Sequence, residues 1–223
     1  MEKNNSPLNT SDVALHPEKS LGQVGVIGRF RPLHNGGALM LEAICNNATQ
    51  VKIGIGSSNK YNLRNPFTPQ ETKDMIHAYL TPHNSNYTLI EIPDFAHLPE
   101  YKDGKQWKEY LVETFGPLNH FITGNPYVKE LLQDTYDIIH PATLIPKEKQ
   151  LWLKGSIVRM ELARHGSWQE LVPPAVAQYL VTNHLDERFR REFGLQTLSQ
   201  LADSVDYTQR ETTAQEYQHT TES

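Results

Sequence analysis

The sequence predicts an α/β fold, a doubly wound parallel sheet of about five strands with helices on both faces. Three observations predict it. Five short apolar runs of strand length recur along the chain, and segments with helical periodicity fill the gaps between them. Strands that alternate with helices imply parallel pairing through right-handed crossovers. The third observation is length: 223 residues without an internal repeat suffice for one sizeable core.

The elements follow in order. Val24 to Gly28 reads as the first strand, and Ala38, Leu41, Ile44, Cys45 and Ala48 recur at three- and four-residue spacing as the buried face of the first helix. Cys45 therefore belongs to the core. Val51 to Gly56 is the second strand. "TPQE", Thr68 to Glu71, is a capping box with Pro69 at the first helical position, and it opens a helix that turns Met75, Ile76, Tyr79 and Leu80 inward. Tyr87 to Ile92, His120 to Thr123 and Tyr136 to His140 complete the strands, with a helix over "KQWKEYLVETF" before the fourth. Ile157 to Arg164 forms a helix closed by Gly166, and "VPPAVAQYL" starts another at Pro173 or Pro174. "DERFRREF", Asp186 to Phe193, is charge-rich and helical, and reads as a solvated face, with a subunit contact as the alternative. The organisation expected is a polar, disordered arm over 1–21, one domain over 22–185, and a charged helical segment with a polar tail over 186–223.

Composition excludes several classes of function. A formal charge of −5 provides no global attraction to nucleic acid or an anionic membrane, so any polyanion must be small and held by local groups. One cysteine rules out an internal disulfide and a cysteine-rich zinc site, and fits a cytoplasmic protein. No apolar stretch approaches bilayer length, and the polar start lacks the hydrophobic region of a secretory signal. The histidines outside the loop after the first strand show no close ligand spacing, so no metal held by protein side chains is expected.

Two stretches carry chemistry. "GRFRPLHNGG", Gly28 to Gly37, lies between the first strand and the first helix, where open α/β sheets collect anions on unpaired backbone N–H groups. Gly28 permits close backbone approach, Arg29 and Arg31 supply cations, and His34 can donate to a phosphoryl oxygen. In "KGSIVRMELARHGSW", Gly155 and Ser156 start a helix and Arg159 follows about one turn on, so a hydroxyl, backbone donors and a guanidinium can converge on phosphate.

With those two motifs the chain resembles the nucleotidylyltransferase superfamily, and specifically the archaeal-type nicotinamide mononucleotide (NMN) adenylyltransferases. The family's first motif reads G-R-F-Q-P-F-H-x-G-H and its last I-S-G-T-x-I-R; this chain has "GRFRPLHNGG" and "LKGSIVR". "GIGSSNKYNLRNPFTPQE", "IEIPD", "FITGNPYV" and "GSWQELVPPAVAQYL" extend the likeness over about Gly25 to Leu180.

The resemblance implies a Rossmann-like fold and transfer of AMP from ATP to NMN, giving NAD and pyrophosphate, with Mg2+ accompanying ATP. It implies that Gly28, Arg29, Phe30, His34 and Gly37 receive ATP while Ser156 and Arg159 hold its phosphates, and that the loop Thr123, Gly124, Asn125 and Pro126 reads adenine or the nicotinamide nucleotide. Trp107 would stack on the nicotinamide ring, Asn65 and Phe67 would border the same pocket, and Asp94 would line the substrate side. A homo-oligomer is also implied. No acid-base pair is required, because the attacking phosphate is already ionised.

Two departures fall where charge is handled. The family's second histidine aligns with Gly37, and the serine of its last motif with Lys154. Arg31 stands where glutamine is usual, so Arg31 and Lys154 are candidates to replace the missing donor, beside His34 and Arg159. The alternatives are a catalytically weakened nucleotide-binding protein of the same fold, and adenylyl transfer to another phosphorylated acceptor such as FMN or phosphopantetheine.

Overall fold

A computed structural model describes residues 20–200. Five strands, β1 (Gln23–Gly28), β2 (Gln50–Gly56), β3 (Tyr87–Ile92), β4 (His120–Ile122) and β5 (Asp137–Ile139), form one sheet in the order β3-β2-β1-β4-β5. Every pairing is parallel. Seven α-helices alternate with and follow them among the described residues: α1 (Asn35–Asn47), α2 (Pro69–Leu80), α3 (Lys105–Phe115), α4 (Pro126–Leu132), α5 (Gly155–Ala163), α6 (Pro174–Thr182) and α7 (Leu185–Phe189). The Rossmann-like α/β expectation is borne out. The arm before residue 20 and the tail beyond residue 200 lie outside the described residues.

Strand alternation divides the apolar residues between two cores. Val24 and Val26 of β1, with Val51, Ile53 and Ile55 of β2, face Leu41 and Ile44 of α1, Met75 and Ile76 of α2, Leu162 of α5 and Val176 of α6. On the other face Phe115 of α3, Phe121 of β4 and Leu132 of α4 pack with Ile92 and Tyr136, and Ile27 joins them. Space for Phe115 comes from Gly54, where a Cβ would lie 2.9 Å from its ring. A larger residue in mid-strand would push the helix off the sheet.

The predicted capping box is present in both halves: Glu71 N–H donates to Thr68 Oγ1 at 3.2 Å, and Thr68 N–H donates to Glu71 Oε2 at 2.8 Å. Strands β4 and β5 are shorter than their apolar runs, since the registers of β4 with β1 and of β4 with β5 each span three residues. The segment read as a solvated face differs more. Leu185 and Phe189 enter the main core, and a π-helical turn, Arg190–Gly194, carries the helix on toward residue 200. Two of its arginines are paired, Arg190 with Asp186 one turn back and Arg188 with Glu71 of α2.

Candidate active site

β1 lies at the centre of the sheet, with β2 on one side and β4 on the other, so the connections from its end leave a crevice at the carboxyl edge. Two cavities occupy that crevice. The larger, about 770 Å³, is lined by Gly28 through Pro32, His34, Gly37, Arg64, His140, Trp152, Lys154, Ser156 and Arg159, among others. The smaller, about 340 Å³, is lined by Ser57, Asp94, Phe95, Trp107, Thr123, Asn125 and Tyr127, among others. Gly28 and Arg29 belong to both walls.

The loop is shaped by its own side chains. Phe30 adopts a positive φ of 52° and folds its ring back over Gly28, where a Cβ would come within 2.7 Å of it. Glycine is therefore required there. His34 caps α1, its Nδ1 accepting from the Gly37 N–H at 3.1 Å. With Nδ1 accepting, the neutral ring carries its proton on Nε2, which is then the donor available to a ligand. Burial, reinforced by the charge of Arg159, pushes the His34 pKa down to about 4, so the ring is neutral at pH 7.

The two sequence motifs meet here. Arg159 reaches from α5 to donate to the backbone oxygen of Arg31 at 3.0 Å, and a Cβ on Gly155 would lie 3.2 Å from the Arg159 guanidinium and 3.8 Å from His34. Arg31 itself is 2% exposed. One of its terminal nitrogens donates to the carbonyls of Ser57 at 3.1 Å and Lys60 at 3.3 Å, while Nε and the other terminal nitrogen are buried without a hydrogen-bond partner. Burial, then repulsion from Arg29, lowers its pKa to about 10, and burial, then Arg29 and Arg64, lowers that of Arg159 to about 10. Both remain cationic at neutral pH. Arg29 is lowered too, by burial and Arg64, against a restoring pull from Asp94.

Five cations thus line the larger cavity, and no Asp or Glu does among the described residues. The guanidinium groups of Arg31 and Arg159 are held by backbone carbonyls rather than by a counter-ion. Such a wall is pre-paid for a polyanion: desolvation and mutual repulsion are already in place, and a phosphate chain relieves both. Among the described residues no cluster of three His, Cys, Asp or Glu side chains stands ready for a metal.

The smaller cavity has different chemistry. Trp107 stacks beside Tyr127 with ring centroids 6.4 Å apart. Asp94 is fixed through its backbone N–H to Asn59 Oδ1 at 2.7 Å, and Asn125 caps α4 by accepting from the Tyr127 N–H at 3.0 Å. An aromatic wall beside one carboxylate suits a flat cationic ring.

Gly28, Arg29, Phe30, Arg31, His34, Gly37, Lys154, Ser156 and Arg159 come together in the larger cavity, while Trp107, Asp94, Thr123 and Asn125 line the smaller one. The remaining expected residues lie elsewhere. Gly124 lines neither cavity and sits behind His140, whose Nε2 a Cβ would approach to 3.3 Å. Pro126 is the first residue of α4 rather than part of the loop. Asn65 is buried in a turn, donating to Asn62 Oδ1 at 3.1 Å, and Phe67 is fully buried against Phe189. Arg64, His140 and Trp152 of the larger cavity were not legible in the sequence, since a lone arginine in a turn and an exposed tryptophan have no spacing to announce them.

No protein-family model matches the chain. Curated relatives do. A nicotinamide-nucleotide adenylyltransferase of Picrophilus torridus is 33% identical over 158 residues, covering 70% of this chain and 88% of the relative. Those of Pyrococcus horikoshii (31% identical, 74% of this chain, 85% of the relative) and Thermococcus kodakarensis (29%, 83% and 91%) are similar. Among solved structures, a bifunctional NMN adenylyltransferase/ADP ribose pyrophosphatase of Francisella tularensis, crystallised with AMP and a manganese ion, superposes with a TM-score of 0.63 at 16% identity. The match covers 86% of this chain and 56% of that protein, so the chain spans little more than half of the bifunctional protein's length.

Proposed function

The chain belongs to the nicotinamide-nucleotide adenylyltransferase family, and from that premise we propose how it transfers AMP from ATP to NMN, releasing pyrophosphate and forming NAD. The observation that carries the proposal is the pair of cavities, one cationic and one aromatic with a carboxylate, sharing Gly28 and Arg29 as a common wall.

ATP lies in the larger cavity with its phosphates toward His34, Ser156 and Arg159, and NMN lies in the smaller with its ring against Trp107. A phosphate oxygen of NMN then attacks the α-phosphorus in line. The new O–P bond forms as the bond from the α-phosphorus to the bridging oxygen breaks, and pyrophosphate carries away the electron pair. The residues position two anions and stabilise charge as it spreads over the phosphoryl oxygens. Neutral His34 donates from Nε2, and Arg31 adds a buried cation behind the cavity wall. Arg31 and Lys154 supply charge where Gly37 supplies no imidazole.

The donor set fits a metal that arrives on the phosphates of ATP, since among the described residues the cavity offers cations and no carboxylate. Mg2+ in that form would share the neutralisation of phosphoryl charge with Arg159 and Lys154. The family reading also brings a homo-oligomer, checked by sedimentation at micromolar concentration, and a place in the cytoplasm, in keeping with one buried cysteine.

The test is magnesium-dependent formation of NAD and pyrophosphate from NMN and ATP, with FMN and phosphopantetheine as competing acceptors. Product from NMN alone supports the reading; product from another acceptor replaces it. A second reading, a nucleotide-binding protein with weakened catalysis, is favoured by Gly37. ATP binding without pyrophosphate release would identify it.

A further inference from the structure

We propose that Tyr61 and Arg188 are positioning residues for the phosphate cavity, acting through Arg64; this rests on the reading of that cavity as the ATP site. Neither residue lines either of the two cavities described above. Arg64 does, and it stands in a turn that closes on itself: Asn62 and Asn65 exchange backbone hydrogen bonds at 3.2 and 2.8 Å, and the Arg64 N–H donates to Asn62 Oδ1 at 3.0 Å. The turn is rigid within itself, so what directs Arg64 is how the turn as a whole is held.

It is held at both ends by one segment from the far end of the chain. On the near side Tyr61 donates its hydroxyl to Glu192, packs edge-on against Phe193 at 5.4 Å, and lies under the Arg188 guanidinium at 5.9 Å. On the other side Arg188 donates to the Pro66 carbonyl at 3.2 Å. The same guanidinium grips both carboxylate oxygens of Glu71, at 2.5 and 2.7 Å, and Glu71 is the residue that closes the capping box of α2. Phe189 anchors the segment, 0% exposed and stacked on Phe67 at 6.3 Å. Residues 61 and 66 therefore act as two posts for the 62–65 turn, and Arg188 touches both.

This gives the charge-rich segment a task that neither its composition nor the cavity lining shows. Long side chains such as arginine lose rotamer freedom when they bind an anion, and a fixed backbone lowers that cost. Releasing a post lets Arg64 wander, which weakens the hold on phosphate and leaves the aromatic cavity alone.

The experiment is calorimetric titration of the full chain with inorganic tripolyphosphate, with no acceptor present. Tyr61→Ala, at a side chain 49% exposed, is the primary variant because its fold is safe, and Arg188→Met is the second. Each is made in the parent, in Arg64→Ala and in Lys154→Ala. We expect a roughly tenfold rise in Kd in the parent, a similar further rise with Lys154→Ala, and almost none with Arg64→Ala, the signature of residues that share one route. Tyr61→Phe, which keeps the ring contacts, loses less. An unchanged Kd for Tyr61→Ala, or an equal loss in all three backgrounds, overturns the proposal. Because tripolyphosphate binding needs no adenylyl transfer, an inactive parent that still binds it would sink the enzymatic reading and leave this one standing.

Discussion

Arg159 donates to the carbonyl oxygen of Arg31 at 3.0 Å, joining two motifs 128 residues apart in the sequence. A carbonyl acceptor holds the guanidinium without neutralising it. Arg159→Lys keeps the charge and loses the fork that serves a carbonyl and a phosphate together. We expect it to lower kcat/KM for ATP by about one to two decades, a charge-assisted hydrogen bond being worth roughly 1.5–3 kcal/mol. Steady-state kinetics with each substrate varied in turn checks this.

Arg31→Gln removes a buried cation with two unpartnered nitrogens. Stability and function should separate. Relief of one unsatisfied buried group is worth on the order of 1 kcal/mol, or about 2–4 °C in Tm for a chain of this size. Affinity for ATP should fall, and its salt dependence with it. A thermal melt and an ATP titration on the same variant provide both readings.

Gly37→His restores the imidazole of the family's motif. A Cβ at this position meets Leu33 at 3.5 Å, His34 at 3.7 Å and Phe30 at 3.8 Å, all ordinary contacts, so the helix accepts it. Turnover should rise by about one to two decades if the new donor acts in the transition state. Equal rates for parent and variant would mean that Arg31 and Lys154 already supply what the histidine would.

The His34 pKa falls from an ordinary 6.5 to about 4 on folding, chiefly by burial. As pH drops below 6.5 the unfolded chain takes the proton first, so stability declines down to about pH 4 and levels off below it. The sign is that of a group whose neutral form is favoured in the folded state. His34→Asn, which can still cap α1, should flatten this portion of the stability profile, as urea unfolding at a series of pH values would reveal. Tripolyphosphate should raise the His34 pKa, visible as a higher midpoint pH in its ring titration by NMR.

Trp107→Ala should weaken NMN and spare ATP. A cationic ring over tryptophan is worth about 0.5–2 kcal/mol, so KM for NMN should rise about 2- to 30-fold. Trp107→Phe should recover part of the loss, whereas a change in the ATP KM would place the ring elsewhere.

Much of the fold and of the cationic cavity could be read from the residues in order. Alternation in β1 and β2, the Thr68–Glu71 cap and the loop from Gly28 to Gly37 are local patterns, and local patterns survive folding. What could not be read depends on which way a segment turns. Asn65 and Phe67 sit in a stretch that resembles family text, but their side chains go into a turn and into the core. Arg188 looked solvated because its partner, Glu71, lies 117 residues away and is met only when the helix is docked, whereas the Arg190–Asp186 pair is local to the segment. Arg64 carried no signal at all, because its value comes from the cations it faces across the cavity.

The shared wall at Gly28 and Arg29 has a kinetic consequence. With ATP and NMN placed as proposed, the two ligands abut there, so the reaction is expected to run through a ternary complex, and an absence of label exchange between ATP and pyrophosphate without acceptor would check it. The joined product spans both compartments. With the substrates placed as proposed, the dinucleotide is expected to compete with both ATP and NMN, which product-inhibition kinetics with each substrate varied in turn checks.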